Sequence, residues 1–184
     1  LCLSLARLTW SLPDDEKRRD ALLDAVVRGD GPAVLVLLRA ATFPDYHDDD
    51  GDTVLILASD HGHAAIAALL LEAGAATDEA ANNGDTALML ASDHGHVEIV
   101  RLLLEGGAAT DQADSNGETA LLLASEEGHV EIVRLLLEGG AATHHAGDNS
   151  ATALMWASTL GHVEGARLLL EGGAATDQAA KDRH

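Results

Sequence analysis

A period of 33 residues runs through most of this chain. A fixed repeat of that length decides the architecture before any single residue is weighed. Thr53, Thr86, Thr119 and Thr152 recur at that interval, as do Gly62, Gly95, Gly128 and Gly161, each followed by His63, His96, His129 or His162. Between 86–110 and 119–143, 22 of 25 residues are identical, which points to recent duplication or design. One step further back, Leu22, Ala25, Gly29, Leu37 and Leu38 fall in register with Leu55, Ala58, Gly62, Leu70 and Leu71, so a degenerate unit begins near Asp20. The chain divides into a leader over 1–19 and a single repeat domain over 20–184, with units at about 20–52, 53–85, 86–118, 119–151 and 152–184.

Each unit reads as two short helices and a turn. In the third unit Thr86 is placed to N-cap a first helix through Leu88, Leu90 and Ala91, and Gly95 ends it by taking the left-handed conformation that side chains resist. His96 and Val97 open a second helix, in which Val100, Leu103 and Leu104 recur at the spacing of one buried stripe. Gly106 and Gly107 stop it, and the Asp, Asn and Gly content of 108–117 suits a hairpin-like link. Hydrophobic residues make up 47% of the chain but aromatics only 2%, so the core is built from Ala, Leu, Val and Ile, which favours packed short helices. Helices this short are marginal alone in water. Each unit therefore needs its neighbours to cover its apolar side, and the expected fold is an all-α solenoid of stacked helix-turn-helix repeats.

These units resemble the ankyrin repeat. The resemblance covers Asp20 to the C-terminus and rests on T-A-L at 86–88, A-S-x-x-G-H at 91–96 and V-E-I-V-R-L-L-L-E-G-G-A at 97–108, repeated in phase. It implies an L-shaped stack with projecting hairpins and an activity of binding another protein at the hairpin tips and first-helix ends. Two departures stand out. The family's T-P-L-H becomes T-V-L-I at Thr53, T-A-L-M at Thr86 and Thr152, and T-A-L-L at Thr119, losing the helix-starting Pro and the His that ties neighbouring loops. The G-A-D turn reads G-A-A at Gly74, Gly107, Gly140 and Gly173. Fewer ties between units and more mobile hairpins are expected from these losses.

Carried onto this chain, the family's recognition positions are Asp49, Asp50, Asp52, Asp60 and His61; Asn82, Asn83, Asp85, Asp93 and His94; Ser115, Asn116, Glu118, Glu126 and Glu127; and Asp148, Asn149, Ala151, Thr159 and Leu160. Ten of these twenty are carboxylates and none is Lys or Arg. Stacking would align them into a concave acidic strip whose like charges reinforce one potential. Arg101, Arg134 and Arg167 instead recur on the second helix, three residues after Glu98, Glu131 and Glu164, and read as intrahelical pairs. The bland alternative is that the strip holds only the solvated residues that tight turns require. The series Ile56, Met89, Leu122 and Met155 reads as filling between helices and hairpins, or else as an apolar stripe for a partner.

Ten histidines raise the question of metal binding. The pairs His61 with His63 and His94 with His96 each straddle a glycine turn and lack the i, i+4 spacing that puts two imidazoles on one helical face, so a structural role is expected. The run 48–52 lacks calcium-loop ligands at both ends, where Tyr46 and Leu57 would stand. No phosphate-cradling loop with Lys, nucleophile elbow or His-Glu-x-x-His is present, and the single cysteine, Cys2, provides no thiolate set. The chain reads as a non-enzyme with no cofactor and no metal.

The two ends break the pattern. Leu1, Leu5, Leu8 and Leu12, with Trp10 and a stop at Pro13, can form an amphipathic helix that caps the first unit or docks elsewhere; a helix from Asp15 to Arg28 is the other capping candidate. In the last unit Gly165 and Ala166 replace Ile and Val, while Trp156 and Leu160 are new, and Trp156 is a candidate contact because Trp is enriched at binding hot spots. Eleven basic against 31 acidic residues give a formal charge of -20, which argues against nucleic acid and anionic membrane surfaces. No apolar run reaches the ~18 to 20 residues that span a bilayer. The expected function is a protein-protein interaction module taking a basic segment on its acidic surface. The alternatives are an accessory or assembly subunit of a larger complex, docked through the leader and last unit, and a regulatory fragment of an enzyme. Compartment stays open, with a soluble intracellular setting, cytoplasmic or organellar, preferred.

Overall fold

The computed structural model describes residues 15–39 and 45–174. In chain order its helices are α1 (Asp15–Val27), α2 (Gly31–Arg39), α3 (Val54–Asp60), α4 (Ala64–Glu72), α5 (Ala87–Asp93), α6 (Val97–Glu105), α7 (Ala120–Glu126), α8 (Val130–Glu138), α9 (Ala153–Leu160) and α10 (Val163–Glu171). Among the described residues there is no strand; the hairpins carry isolated antiparallel bridges at His47–Thr53, Ala80–Thr86 and Ala146–Thr152.

Local chemistry sets each helix. Thr53, Thr86, Thr119 and Thr152 lie in extended backbone and accept an N–H three residues on, from Ile56, Met89, Leu122 and Met155, at 3.2–3.4 Å. That hydroxyl satisfies one of the amide donors left open at every helix start. Gly62, Gly95, Gly128 and Gly161 turn the chain at φ of 71–79°, the region where a Cβ is strained.

The helices form two layers. Successive first helices α1, α3, α5, α7 and α9 pack side by side, successive second helices α2, α4, α6, α8 and α10 do likewise, and each pair packs within its own unit. One continuous core results: Leu55, Leu88 and Leu121 are nearly fully buried in equivalent places, as are Leu70, Leu103 and Leu136. The series Ile56, Met89 and Leu122 belongs to this core at 1–3% exposure, whereas Met155 is 46% exposed. Filling is thus the role of the first three.

The first unit departs from the rest in that α1 is 13 residues long, against seven in α3, and begins at Asp15, before the register boundary near Asp20. Its Leu22, Ala25 and Val26 enter the core against α3. The amphipathic helix expected over 1–12 lies outside the described residues.

Candidate functional site

Hairpin tips and first-helix ends meet on one side of the stack, and main-chain bonds hold them there. The Asn82 N–H donates to the Asp50 carbonyl at 3.1 Å, Ser115 to Asn83 at 2.8 Å, and Asp148 to Asn116 at 2.9 Å, so each tip is joined to the previous one. Below the tips, the Asp45, Asp78 and Asp111 carboxylates accept the Ala76, Ala109 and Ala142 N–H groups of the following unit at 2.8–3.0 Å. Within single hairpins, Asp48 and Asp114 accept two amides each, and Asn83 and Asn149 accept one. The ties between units that the missing T-P-L-H histidine and G-A-D aspartate put in question are therefore supplied by other groups.

The register histidines provide a further tie. The Nε2 atoms of His96, His129 and His162 lie 3.2, 2.9 and 2.9 Å from the Asp60, Asp93 and Glu126 carbonyls, in each case 36 residues earlier. A carbonyl can only accept, so Nε2 carries the proton. Each ring also roofs the glycine of the preceding turn: a Cβ built on Gly62, Gly95 or Gly128 would stand 2.6–2.7 Å from the next unit's imidazole. These histidines cap no amide at their own helix start. Their contacts are thus made to the preceding unit.

The sequence-predicted residues sort into exposed tips and half-buried inner columns. Asp49, Asp50, Asn82, Asn83, Ser115, Asn116, Asp148 and Asn149 are exposed at the tips. Asp52, Asp85 and Glu118 form one half-buried column in register, and Asp60, Asp93 and Glu126 another, edged by exposed His61, His94 and Glu127. Burial pushes the Asp52 carboxyl up from its ordinary value, helped by the charges of Asp48, Asp50, Asp85 and Asp60. Asp85 is pushed up by burial and by Asp114 and Asp93, against a hydrogen bond from Asn83 that favours its charged form. Glu118 rises through burial and through Asp114, Glu126, Asp93 and Asp85. The two columns are thus close enough to act on each other across unit boundaries.

His61 and His94 lie among these carboxylates. The His61 Nδ1 is 3.3 Å from Asp60; that of His94 is 3.7 Å from Asp60 and 3.8 Å from Asp93. Each Nδ1–H donates to its own helix, at the Leu57 and Leu90 carbonyls. The glycine turn does bring the paired rings together, stacking His61 on His63 and His94 on His96 with centroids 5.9 and 6.0 Å apart, a contact the sequence spacing did not reveal. Among the described residues no group of three or more potential ligands is placed to hold a metal ion.

The recurring arginines of the second helices are engaged in ion pairs. Arg134 meets Glu131 at 3.4 Å and Arg167 meets Glu164 and Glu171, as intrahelical pairs. Arg101 corrects the expected pattern, reaching across to Glu131 of the next unit at 3.8 Å. In the last unit Thr159 and Leu160 are exposed, while Trp156 is partly buried against the core.

The model of ankyrin repeats in three copies matches residues 22–114 and again 106–182. The chain belongs to the ankyrin-repeat family. No curated protein matches it. Ankyrin repeats are protein-protein interaction modules, and that coarse function follows for this chain. No helix among the described residues of this ankyrin-repeat protein is long and apolar enough to cross a membrane.

Proposed function

We propose that this ankyrin-repeat protein is a non-catalytic binding module that takes a basic segment of a partner protein along its hairpin tips and first-helix ends. The observation that carries the proposal is the pair of carboxylate columns, in which burial, together with the charges of neighbouring carboxylates, raises the proton affinity of Asp52, Asp85 and Glu118. A partner's Lys and Arg side chains would relieve that repulsion, whereas turn chemistry alone does not require charges of one sign in register. Exposed charges are screened beyond ~8 Å at physiological ionic strength, so binding should weaken steeply with salt.

The test uses an oligo-arginine peptide and fluorescence anisotropy between about 50 and about 300 mM salt. Substituting Asp85→Asn and Glu118→Gln should weaken binding several-fold. The control Glu98→Gln with Glu105→Gln, equal in net charge but on the second helices, should leave it nearly unchanged. Equal losses in both variants would reduce the effect to overall charge and remove the strip from consideration.

A second reading, an accessory subunit of a larger complex, is favoured by the exposed Met155, Leu160, Val163 and Leu170 of the last unit.

A further inference from the structure

The two ends of the binding side differ in charge from its middle, and the register shows where each change falls. The His63 ring roofs Gly29 and its Nε2 lies 3.4 Å from the Val27 carbonyl, as His96 does with Gly62 and Asp60, so the first unit obeys the same register. Val27 therefore stands where Asp60, Asp93 and Glu126 stand, and Arg28 where His61, His94 and Glu127 stand. One period before Asp52 is Arg19, which meets Asp20 at 3.0 Å and feels the charge of Asp49 at the first hairpin tip. Arg28 is exposed and pairs with Asp24, one turn back, at 2.7 Å; a solvated pair of this kind exchanges readily for another carboxylate. At the other end the same three columns lose their charge, with Ala151, Thr159 and Leu160 following Glu118, Glu126 and Glu127. Leu160 is 49% exposed at a position that is exposed within the stack as well, as His61 and His94 show, so its exposure owes nothing to what lies beyond the last unit. Trp156 shares its face of α9, four residues earlier, and is partly buried. Between these ends, from Arg39 to Arg101, the sequence holds no Lys or Arg.

From these columns we infer that the partner segment carries a fixed order of chemistry: a carboxylate side chain at Arg19 and Arg28, Lys or Arg along Asp52 to Glu126, and an apolar side chain at Leu160. The inference rests on the acidic-surface reading and adds a register to it. A segment displaced by one unit would set Lys or Arg against Arg28 in one direction and against Leu160 in the other. Both ends therefore fix its position. Neighbouring helices stand about 8–10 Å apart, which puts about 32–40 Å between the first and last units. An extended chain covers that distance in about ten to twelve residues.

Peptides of about twelve residues test it against the full chain by fluorescence anisotropy. One carries a Glu block, a Lys block and a Leu block in that order; the other has the same composition with the Glu block placed centrally. The ordered peptide should bind about fivefold tighter or more. Arg28→Glu should weaken the ordered peptide and strengthen oligo-arginine, since only the former sets a carboxylate against that position. Leu160→Asn should weaken the ordered peptide and leave oligo-arginine nearly unchanged. Equal affinities for the two block orders, an Arg28→Glu effect of the same sign on both probes, or a Leu160→Asn variant that holds the ordered peptide as tightly as the parent overturns the inference while the acidic surface stands. Failure of every peptide to bind, oligo-arginine included, removes both.

Discussion

The imidazole of His129 lies over the Cα of Gly95 while its Nε2–H bonds the Asp93 carbonyl at 2.9 Å, so one side chain closes both the backbone and the surface of the preceding turn. Gly95→Ala must then place a methyl 2.7 Å from the ring at a φ of 75°. The left-handed backbone alone costs about 1–2 kcal/mol, and overpacking adds about 1–3 kcal/mol. Gly140→Ala, at φ 92° with nothing within 4 Å, should show only the first effect. Urea denaturation of the two variants measures the difference, and combining Gly95→Ala with His129→Ala should recover the steric part.

The carboxylate column gives stability a defined pH dependence. Asp52, Asp85 and Glu118 hold protons more tightly folded than unfolded. Their contribution is full below the ordinary values of 3.8 and 4.5 and is lost as pH rises through the raised folded values. Glu118→Gln should therefore raise the melting temperature at pH 7 by about 1 °C and leave it unchanged or lower at pH 4. Thermal melts of parent and variant across that range give the comparison directly.

Added salt should stabilise the isolated protein while weakening its hold on a basic peptide. Screening relieves self-repulsion in a chain of formal charge -20, and the same screening weakens attraction to a cation. Melting temperature and peptide affinity measured in one salt series should move in opposite directions.

Position within the stack should decide the cost of removing a methionine. Met89 is 1% exposed and Met155 46%. Met89→Ala should cost about 2–5 kcal/mol, and Met155→Ala less than about 1 kcal/mol. Equal losses in chemical denaturation would mean that Met155 is covered in solution.

The helices and their ends were legible because the chemistry that sets them is local: a threonine three residues before the amide it caps, a glycine at the turn. The histidine ties were not, since their acceptors are main-chain carbonyls 36 residues back, and carbonyls leave no residue signature. A signal was nonetheless present in the fixed pairing of each turn glycine with a histidine 34 positions later, as in Gly62 with His96. Arg101 departs from the sequence pattern for another reason: near-identical units put a glutamate within reach both three and thirty residues away, and only packing chooses. The site residues follow from resemblance, but the raised proton affinity of Asp52, Asp85 and Glu118 comes first from burial, and sequence does not carry depth.

The joints from Asp50 to Asn82, Asn83 to Ser115 and Asn116 to Asp148 run from main chain to main chain. The outward groups at those tips can be exchanged over generations without unstitching the frame beneath them. A duplicated unit is thus born with its mooring intact and its vocabulary open to revision.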